Sequence, residues 1–595
     1  MKKALSVTNK KGSSLIEALL AVAVFGLFVS AIVGGLIYGQ ESTVLAGQRQ
    51  RATKIADECE EAARSIRDSG YTNLVNGTYG LTSTGGHWAL TGASDVTDIF
   101  TRSITVADGS IDQKIITCNV NWAQNRQRSG NVQLVTYLTN WKTTILSSSQ
   151  KGMLVFGDGG NSTDAIKYQI YDDNTGTWSV AANTADVDTS TSNKYVRSVE
   201  IFSSATRNEK VLVTRHYNGT RAWFYAQVFN GTTNTWGNVN LLSNFATTTN
   251  LDIQRFDGTY LANGDFVVLY SDNTAVPKFK VWNGTAWSSA SGVVGKSTPS
   301  IGGIPSYITL KQRPGTNEAM AVIFDQSSDT NSLYFWIGAN NTYETADWVL
   351  SVEHSNQAPL TTKKFADFEW SSTDATKGAM IYTNRSSDKQ MDLKIWTADG
   401  FGSGAWSSAT EYPTAQISNI GALSITAVKG TDNFIACNKD ADSTPRYICM
   451  RADNSGWVSS SNTTVSAVTD PGVQISYGLG FEQTTSQYGI SPFSDNTGIL
   501  KYKKYTRASN AWDSTATNVN TVAVGTIETV RVIPNPNSDD LMIFAGDSSL
   551  DVYSVIFDGT NNSFYNTPAG KAWLVHGLNG SDVTDYWYDF VWDGM

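Results

Sequence analysis

The 595-residue sequence has little charge and little proline: Asp, Glu, Lys and Arg make up 16% of the chain, and only 12 residues are proline. Acidic residues outnumber basic ones by 54 to 44, which gives a formal net charge of -10, and no basic run occurs beyond the first eleven residues. A chain with this balance has no electrostatic attraction to a phosphate backbone. We therefore expect no nucleic-acid partner.

The residues that most often carry catalysis are also scarce. There are four histidines, and neither H-E-x-x-H nor G-x-S-x-G occurs, so the motifs of zinc peptidases and serine hydrolases are absent. We predict no catalytic residue and no metal, and we expect that the protein is not an enzyme. Acidic turns at residues 158–164 and 440–442 contain oxygen ligands, but neither has the spacing of a twelve-residue calcium loop. No cofactor is predicted, with calcium at these turns as the alternative.

Cysteine is rare, with four residues in the chain and no C-x-x-C pair. This spacing excludes the common zinc sites. The four fall into two regional pairs, which suits disulfide formation if the chain is exported. Three connectivities are open, and we favour Cys59 with Cys118 and Cys437 with Cys449; four buried thiols are the alternative.

Glycine and aromatic residues, in contrast, are abundant. The chain has 50 glycines, 18 tryptophans and 25 tyrosines, and aromatic residues make up 11% of it. This many aromatic side chains excludes disorder as the main state, because most of them have to bury a core. The composition favours a β-rich, turn-rich protein.

An apolar run over residues 15–37 follows a leader that contains four lysines. As a helix these residues span about 34 Å, which is enough to cross a bilayer. The basic leader predicts that the N-terminus stays in the cytoplasm. We expect a single-pass segment of the cytoplasmic membrane, and Glu17, an acid inside the run, requires a specific role.

Residues 12–17, Gly-Ser-Ser-Leu-Ile-Glu, together with the apolar run resemble the processing site of type IV prepilins and type II secretion pseudopilins. The resemblance implies that a prepilin peptidase cuts after Gly12 and that the new N-terminus at Ser13 is methylated, although the family usually has Phe or Met there. It also implies that Glu17 directs assembly with other pilins. The alternative is an ordinary signal anchor.

The rest of the N-terminal part completes a predicted α+β pilin-like module. After the leader, 1–12, apolar residues that recur every three or four positions extend the predicted helix over 13–70. Alternating segments over 71–145 predict a small antiparallel sheet. Within them, residues 118–141 resemble the heads of minor pilins and secretion pseudopilins. The polar stretch 146–152 is predicted to be a linker.

The remainder, 153–595, is repetitive. A tryptophan that follows a strand and a turn recurs about every 56 residues, which is typical of a repeat architecture. The eight copies are Trp178, Trp236, Trp287, Trp348, Trp406, Trp457, Trp512 and Trp573. Each copy contains four short strands, and Asn-Gly pairs such as 218–219 and 283–284 predict tight turns. The pattern predicts an all-β propeller with eight four-stranded blades.

Ring closure follows from the two ends of this repeat. The first copy lacks its leading strand, and residues 585–592 read as one further strand after the last copy. Pairing the two would hide the sheet edges. A closed ring is therefore predicted, with a seven-bladed or two-part arrangement as the alternative.

Two sets of side chains in the repeat have an expected role. Because the tryptophan occurs in every copy, we expect it to be a wedge between blades rather than a sugar platform. The arginines 197, 215, 221 and 255 could form a carboxylate-binding cluster, but we expect them to cap surface acids.

Together these features predict a minor pilin or pilin-like subunit that displays a propeller at the cell surface or pilus tip. The expected partners are other pilins, the prepilin peptidase, the membrane before assembly, and a surface glycan or protein ligand. The propeller is expected to serve adhesion or ligand binding. A pilus-delivered glycan-cleaving enzyme and a structural, partner-docking ring are the alternatives.

Overall fold

The structure is a computed structural model. It describes residues 15–69, 71–85, 87–110, 113–124, 128–139, 151–157, 165–185, 194–247, 254–288, 296–327, 329–337, 343–350, 354, 364–384, 388–400, 402–413, 419–440, 446–458, 463–467, 476–485, 487–519, 523–564, 574–575 and 587–594. The chain divides into two compact units, Met1–Ser147 and Ser148–Met595.

The first unit begins its described part with one 55-residue helix, Leu15–Ser69. Its N-terminal half exposes the apolar side chains of the predicted membrane segment, and it is the one helix among the described residues that is long and apolar enough to cross a membrane. A membrane anchor and a signal sequence both have these properties. The second half buries one face, with residues Ala52, Ala56, Cys59, Ala62, Ala63 and Ile66. The predicted leader 1–12 and the helix ends 13, 14 and 70 lie outside the described residues.

The buried face of the helix packs on a six-stranded antiparallel sheet. Its strands are Gly77–Thr84, His87–Thr91, Asp95–Thr97, Phe100–Ser110, Gln113–Ala123 and Ser129–Thr139, and a 3-10 turn, Tyr71–Asn73, follows the helix. Helix and sheet share an apolar core. A disulfide between Cys59 and Cys118 joins the helix to the fifth strand of this sheet.

The second unit contains eight antiparallel sheets of four or five strands among its described residues. Sheet 1 is Lys151–Gly157, Ile166–Asp172, Thr177–Trp178, Ala182–Asn183 and Tyr588–Trp592; sheet 2 is Tyr195–Ser203, Glu209–Tyr217, Arg221–Asn230 and Thr235–Ala246; sheet 3 is Phe256–Tyr260, Phe266–Tyr270, Lys278–Trp282 and Lys296–Ser297; sheet 4 is Pro305–Gln312, Glu318–Asp325, Thr330–Trp336 and Trp348–Leu350.

The remaining four sheets repeat this order. Sheet 5 is Ala366–Trp370, Lys377–Tyr382, Asp392–Gly400, Ser403–Trp406 and Thr410–Glu411; sheet 6 is Ile420–Ala427, Asn433–Asp440, Arg446–Asp453, Gly456–Trp457 and Thr463–Ala467; sheet 7 is Gly480–Phe481, Tyr488–Phe493, Lys501–Thr506, Ala511–Trp512 and Thr517–Asn518; sheet 8 is Ile527–Pro534, Leu541–Asp547, Val552–Asp558, Ser563–Phe564 and Leu574–Val575. Two 3-10 turns, Thr345–Asp347 and Arg507–Ser509, complete the elements.

Most sheets follow the order of their strands along the chain, whereas sheet 1 draws strands from two distant segments. Strand Tyr588–Trp592 pairs antiparallel with Lys151–Gly157, with Phe590 opposite Leu154. The last two residues of the predicted linker, 151 and 152, belong to the strand Lys151–Gly157, and residues 146–150 lie outside the described part. We call Tyr588–Trp592 and the first strands of sheets 2 to 8 the inner strands.

Consecutive sheets pack face to face through separate apolar clusters, and each cluster combines residues from two neighbouring sheets. A further cluster joins sheet 8 to sheet 1 and includes Phe544 and Phe590. Small antiparallel sheets with successive face-to-face contacts make this unit propeller-like. The predicted Asn-Gly turns have the expected positive φ, 91° at both Gly219 and Gly284.

Candidate functional site

The repeat tryptophans are found between sheets, each against the sheet that precedes its own. Trp178 packs edge-on against Phe544 of sheet 8, Trp236 edge-on against Tyr168 of sheet 1, and Trp348 at a tilt against Phe279 of sheet 3. The indole nitrogens of Trp287, Trp406 and Trp457 donate to Asn238, Ser332 and Thr410 of the preceding sheets. Trp512 packs against the cluster between sheets 6 and 7. Trp573 lies outside the described residues. In the described sheets the indole is thus a packing side chain.

The other predicted residues do not converge on one site. Glu17 lies on the exposed part of the helix, and Gly12 and Ser13 lie outside the described residues. Cys437 and Cys449 form a disulfide across two adjacent strands of sheet 6. The turn 158–164 and residue 442 are outside the described part as well, and the described residues contain no group of three or more side chains that could hold a metal ion.

The arginines do not have the surface positions that we expected. Arg197, Arg215 and Arg255 are buried in sheets 2 and 3, while Arg221 is exposed and donates to Asn244. Burial, with a smaller contribution from Arg215, lowers the pKa of Arg255 to about 9. The expectation of surface capping is therefore wrong for three of the four, because their strands run through the interior between two packed sheets.

A cavity of about 760 Å³ is lined by residues of the inner strands of sheets 2 to 6 and 8 and by residues that flank the inner strand of sheet 7. Its volume lies within the range of small-molecule binding sites. Seven sheets contribute side chains to it, so it lies where the sheets converge. No single repeat contains this site, and a search of the sequence for a local motif could not find it.

Charged side chains from several sheets line the cavity, and two of its four acids are paired with bases. Lys364 lies 2.7 Å from Asp367, and Lys311 lies 3.8 Å from Glu369. Arg531 of sheet 8 pairs with Asp589 of sheet 1 at 2.6 Å. These pairs hold charged groups at the inner strands without a large net charge.

An aspartate recurs on the inner strands of sheets 1, 3 and 5, and each one accepts a backbone N–H bond from the following sheet. The bonds join Asp589 to Ile201 at 3.0 Å, Asp257 to Leu310 at 2.6 Å, and Asp367 to Ile425 at 3.0 Å. The sequence signal is an aspartate three residues before an aromatic residue, in every second copy. A single copy does not reveal this signal, because it appears only when pairs of copies are aligned.

The even-numbered sheets share a second feature. Sheets 2, 4, 6 and 8 each have an irregularity in the pairing of the inner strand, between Val196 and Ser198, Pro305 and Tyr307, Ile420 and Ala422, and Ile527 and Thr529. A bulge re-aims the side chains that follow it. Alternating aspartates and bulges show that the structural repeat comprises two sheets.

Sheet 7 breaks this alternation. Gly478 stands where the aspartate would be, again three residues before an aromatic residue, Phe481. A Cβ at Gly478 would lie 2.7 Å from Cγ2 of Val532 in sheet 8. A side chain at position 478 would therefore clash with Val532. The cavity is apolar here, lined by Leu479, Val532, Ile533 and Pro534, which we call the apolar wall.

Glu200 and Asp257 face the cavity from sheets 2 and 3. Burial, with smaller contributions from Asp257 and Asp589, raises the pKa of Glu200 well above its usual range. Burial also raises the pKa of Asp257 to about 6. Glu200 accepts a hydrogen bond from the amide of Gln254. Perturbed carboxyl groups in a cavity are typical of functional sites.

No family model matches the chain, and no curated protein matches it. Solved structures that resemble it include the BP39L lectin from Burkholderia pseudomallei, at 10% identity and a TM-score of 0.40, covering 65% of this chain and 100% of that one. The periplasmic gluconolactonase from Pseudomonas aeruginosa has 11% identity and a TM-score of 0.37, covering 64% and 98%. The Dos1 propeller has 12% identity and a TM-score of 0.39, covering 67% and 87%.

These likenesses concern the propeller-like fold alone and extend to no ligand or activity. The lining of the cavity combines an apolar wall, paired charges and one carboxyl pair around a volume of ligand size. Such a lining can bind a ligand that has both apolar and hydrogen-bonding surface.

Proposed function

We propose that the protein is a minor pilin or pilin-like subunit that displays a closed, eight-bladed propeller at the cell surface or pilus tip, where the propeller binds a ligand in its axial cavity. The cavity between the inner strands carries this proposal. It combines ligand-sized volume with perturbed carboxyl groups, and it is lined by seven sheets at once. A surface glycan or a protein side chain is the expected kind of ligand.

Ring closure is supported by three contacts between sheets 8 and 1. Arg531 pairs with Asp589, Thr529 and Tyr588 share a hydrogen bond of 2.9 Å, and Trp178 packs near Phe544. Each joins the sheet that contains the inner strand 588–592 to the eighth sheet. A ring has no exposed sheet edge at this junction, which favours closure over an open array.

The pilin-like role is supported by the helix Leu15–Ser69. One continuous helix has an exposed apolar half that contains Glu17 and a second half that packs on the N-terminal sheet. A buried carboxylate in an apolar assembly needs a counter-charge, which the α-amine of a neighbouring subunit would supply after cleavage at Gly12. The helix would thus pass from the membrane into a filament.

The assembly proposal is tested with Glu17→Ala and Gly12→Leu in the full chain. We expect Gly12→Leu to prevent cleavage, seen by the mass of the N-terminal peptide, and Glu17→Ala to reduce recovery of the protein in sheared filaments. Glu41→Ala, an exposed acid on the same helix, is the matched control. Normal processing and normal filament recovery of both variants would overturn this role.

A glycan-cleaving enzyme is the second candidate, and one observation favours it. Glu200 and Asp257 line the same cavity, and the pKa of Glu200 is raised well above its usual range, as expected of the general acid in glycoside hydrolysis, with Asp257 as the candidate base. Release of reducing ends from bound oligosaccharides, lost in both Glu200→Gln and Asp257→Asn, would support this activity. Binding without any release would leave the protein a ligand-binding subunit.

A further inference from the structure

We propose that the axial cavity binds a saccharide with a free amino group, whose ring lies against the apolar wall and whose ammonium group lies between Glu200 and Asp257. This inference rests on the ligand-binding role proposed for the same cavity. Three independent features of the lining carry it: an acid pair without a base, an apolar wall opposite polar groups, and a set of hydroxyl and amide side chains.

The acid pair differs from the other carboxylates of the cavity. Asp367 and Glu369 each have a lysine within 4.0 Å, whereas in the part of the chain that the structure describes neither Glu200 nor Asp257 has an ion-pair partner at that distance. Lys311, Lys364, Arg531 and Asp589 act on the pair only through longer-range electrostatics. Two adjacent carboxylates repel each other when both are ionised, so a cation between them is favoured.

The hydrogen bonding of Glu200 leaves one oxygen for a ligand. One oxygen accepts from Gln254, and Oε2 is buried with no hydrogen-bond partner among the described residues. A buried acceptor without a donor destabilises the folded state. An ammonium group has three donors and a positive charge, and with the Glu200 carboxylate turned towards the cavity it would satisfy this oxygen and the charge together.

The apolar wall results from the break in the two-sheet repeat. Where three sheets place an aspartate, Gly478 leaves room for Val532, and the neighbouring Leu479 and Pro534 add apolar surface. A pyranose ring has one face of C–H groups and an edge of hydroxyl groups. The wall matches that face, while the opposite side of the cavity is polar.

Small polar side chains distinguish a saccharide from a simple amine. The lining includes Gln254, Thr309, Gln312, Ser371, Thr426 and Gln483. Their hydroxyl and amide groups can both donate and accept hydrogen bonds, as ligand hydroxyl groups require. A polyamine has no hydroxyl groups and no ring that could lie on the apolar wall.

The test uses the full chain in detergent and isothermal titration calorimetry at pH 7.5. The probes are a glucosamine tetrasaccharide with free amines, its fully N-acetylated counterpart, and spermidine. We expect the free-amine saccharide to bind at least tenfold more tightly than either of the others. Glu200→Gln with Asp257→Asn should make the two saccharides equal, while Glu41→Gln with Asp432→Asn, two exposed acids, should change nothing. The thermal unfolding midpoint checks that each variant is folded.

The outcomes separate this inference from the function on which it rests. Equal binding of both saccharides, unchanged in the double variant, overturns the amine site but leaves a ligand-binding cavity. Tight binding of spermidine, equal to that of the amino saccharide, overturns the saccharide. If neither saccharide binds but another ligand binds in the cavity, the amino-saccharide inference fails and the ligand-binding role stands. If no ligand binds in the cavity, both fail.

Leu479→Asn tests the apolar wall. It should weaken the binding of both saccharides to a similar extent, and unchanged affinity would contradict the role of the wall.

Discussion

The carboxylate of Asp589 accepts a 3.0 Å hydrogen bond from the backbone N–H of Ile201, although 388 residues separate the two in sequence. The other oxygen of the carboxylate pairs with Arg531 at 2.6 Å. One side chain of sheet 1 therefore holds both of its neighbouring sheets, 2 and 8. We therefore expect the junction to depend on this residue.

Asp589→Ala should therefore destabilise the second unit strongly. The change removes the acceptor of Ile201 and leaves Arg531 without its carboxylate, and breaking a buried pair costs about 3–5 kcal/mol. The measurement is the free energy of unfolding by urea, followed by tryptophan fluorescence. Asp432→Ala, an exposed aspartate in sheet 6, is the control. A loss as small as that of the control would show that the junction does not depend on this side chain.

Gly478 and Val532 should show compensating effects. Gly478→Ala brings a Cβ to 2.7 Å from the valine, and overpacking of this kind costs about 1–3 kcal/mol. Val532→Ala alone removes apolar contacts and also destabilises. In the double variant the clash is absent, so the two losses should not add. A double-mutant cycle on the unfolding free energy measures this coupling, and strictly additive losses would contradict it.

Much of the fold follows from the sequence, because its signals are local. The spacing of apolar residues such as Ala52 and Ile66 predicts the helix. The regular recurrence of the tryptophans along the chain predicts the repeat. The regional distribution of the cysteines also favours the two disulfides that the structure contains. Local periodicity thus predicts the elements and the class of fold.

The site was not predictable in the same way, because it is assembled from distant positions. Glu200 and Asp257 are 57 residues apart in numbering (257 minus 200) and are brought together only because their inner strands face one cavity. Nothing in the residues around Glu200 marks it as unusual. Aspartates on the odd-numbered sheets alternate with bulges on the even-numbered sheets. Gly478 is recognised as the exception only when equivalent positions of the odd-numbered sheets are aligned.

The two disulfides should contribute unequally. Cys59–Cys118 closes a loop with a sequence separation of 59, and Cys437–Cys449 one of 12. Chain entropy predicts about 4 kcal/mol for the first and about 3 kcal/mol for the second. We expect Cys59→Ser with Cys118→Ser to lower the stability of the first unit more than Cys437→Ser with Cys449→Ser lowers that of the second. Calorimetry of both paired variants checks this, and a reversed order would contradict the loop-length explanation.

The free energy of unfolding should depend on pH because the pKa of Asp257 is raised in the folded chain. Its pKa is about 6 in the folded chain against an ordinary value of 3.8, chiefly because it is buried. Because the pKa of Asp257 is higher in the folded chain, folding favours its protonated form. The contribution of Asp257 to the free energy of unfolding is therefore complete below pH 3.8 and is lost as the pH rises through 6.

For this one group the change amounts to at most about 3 kcal/mol. We expect the unfolding free energy of Asp257→Asn minus that of the wild type to increase between pH 4.5 and pH 7.5, measured by urea titration at each pH. Asp432→Asn should give a flat difference, since the residue is exposed. A flat difference for Asp257→Asn as well would mean that burial does not disfavour this carboxylate, and the acid pair would then have no need of a ligand cation.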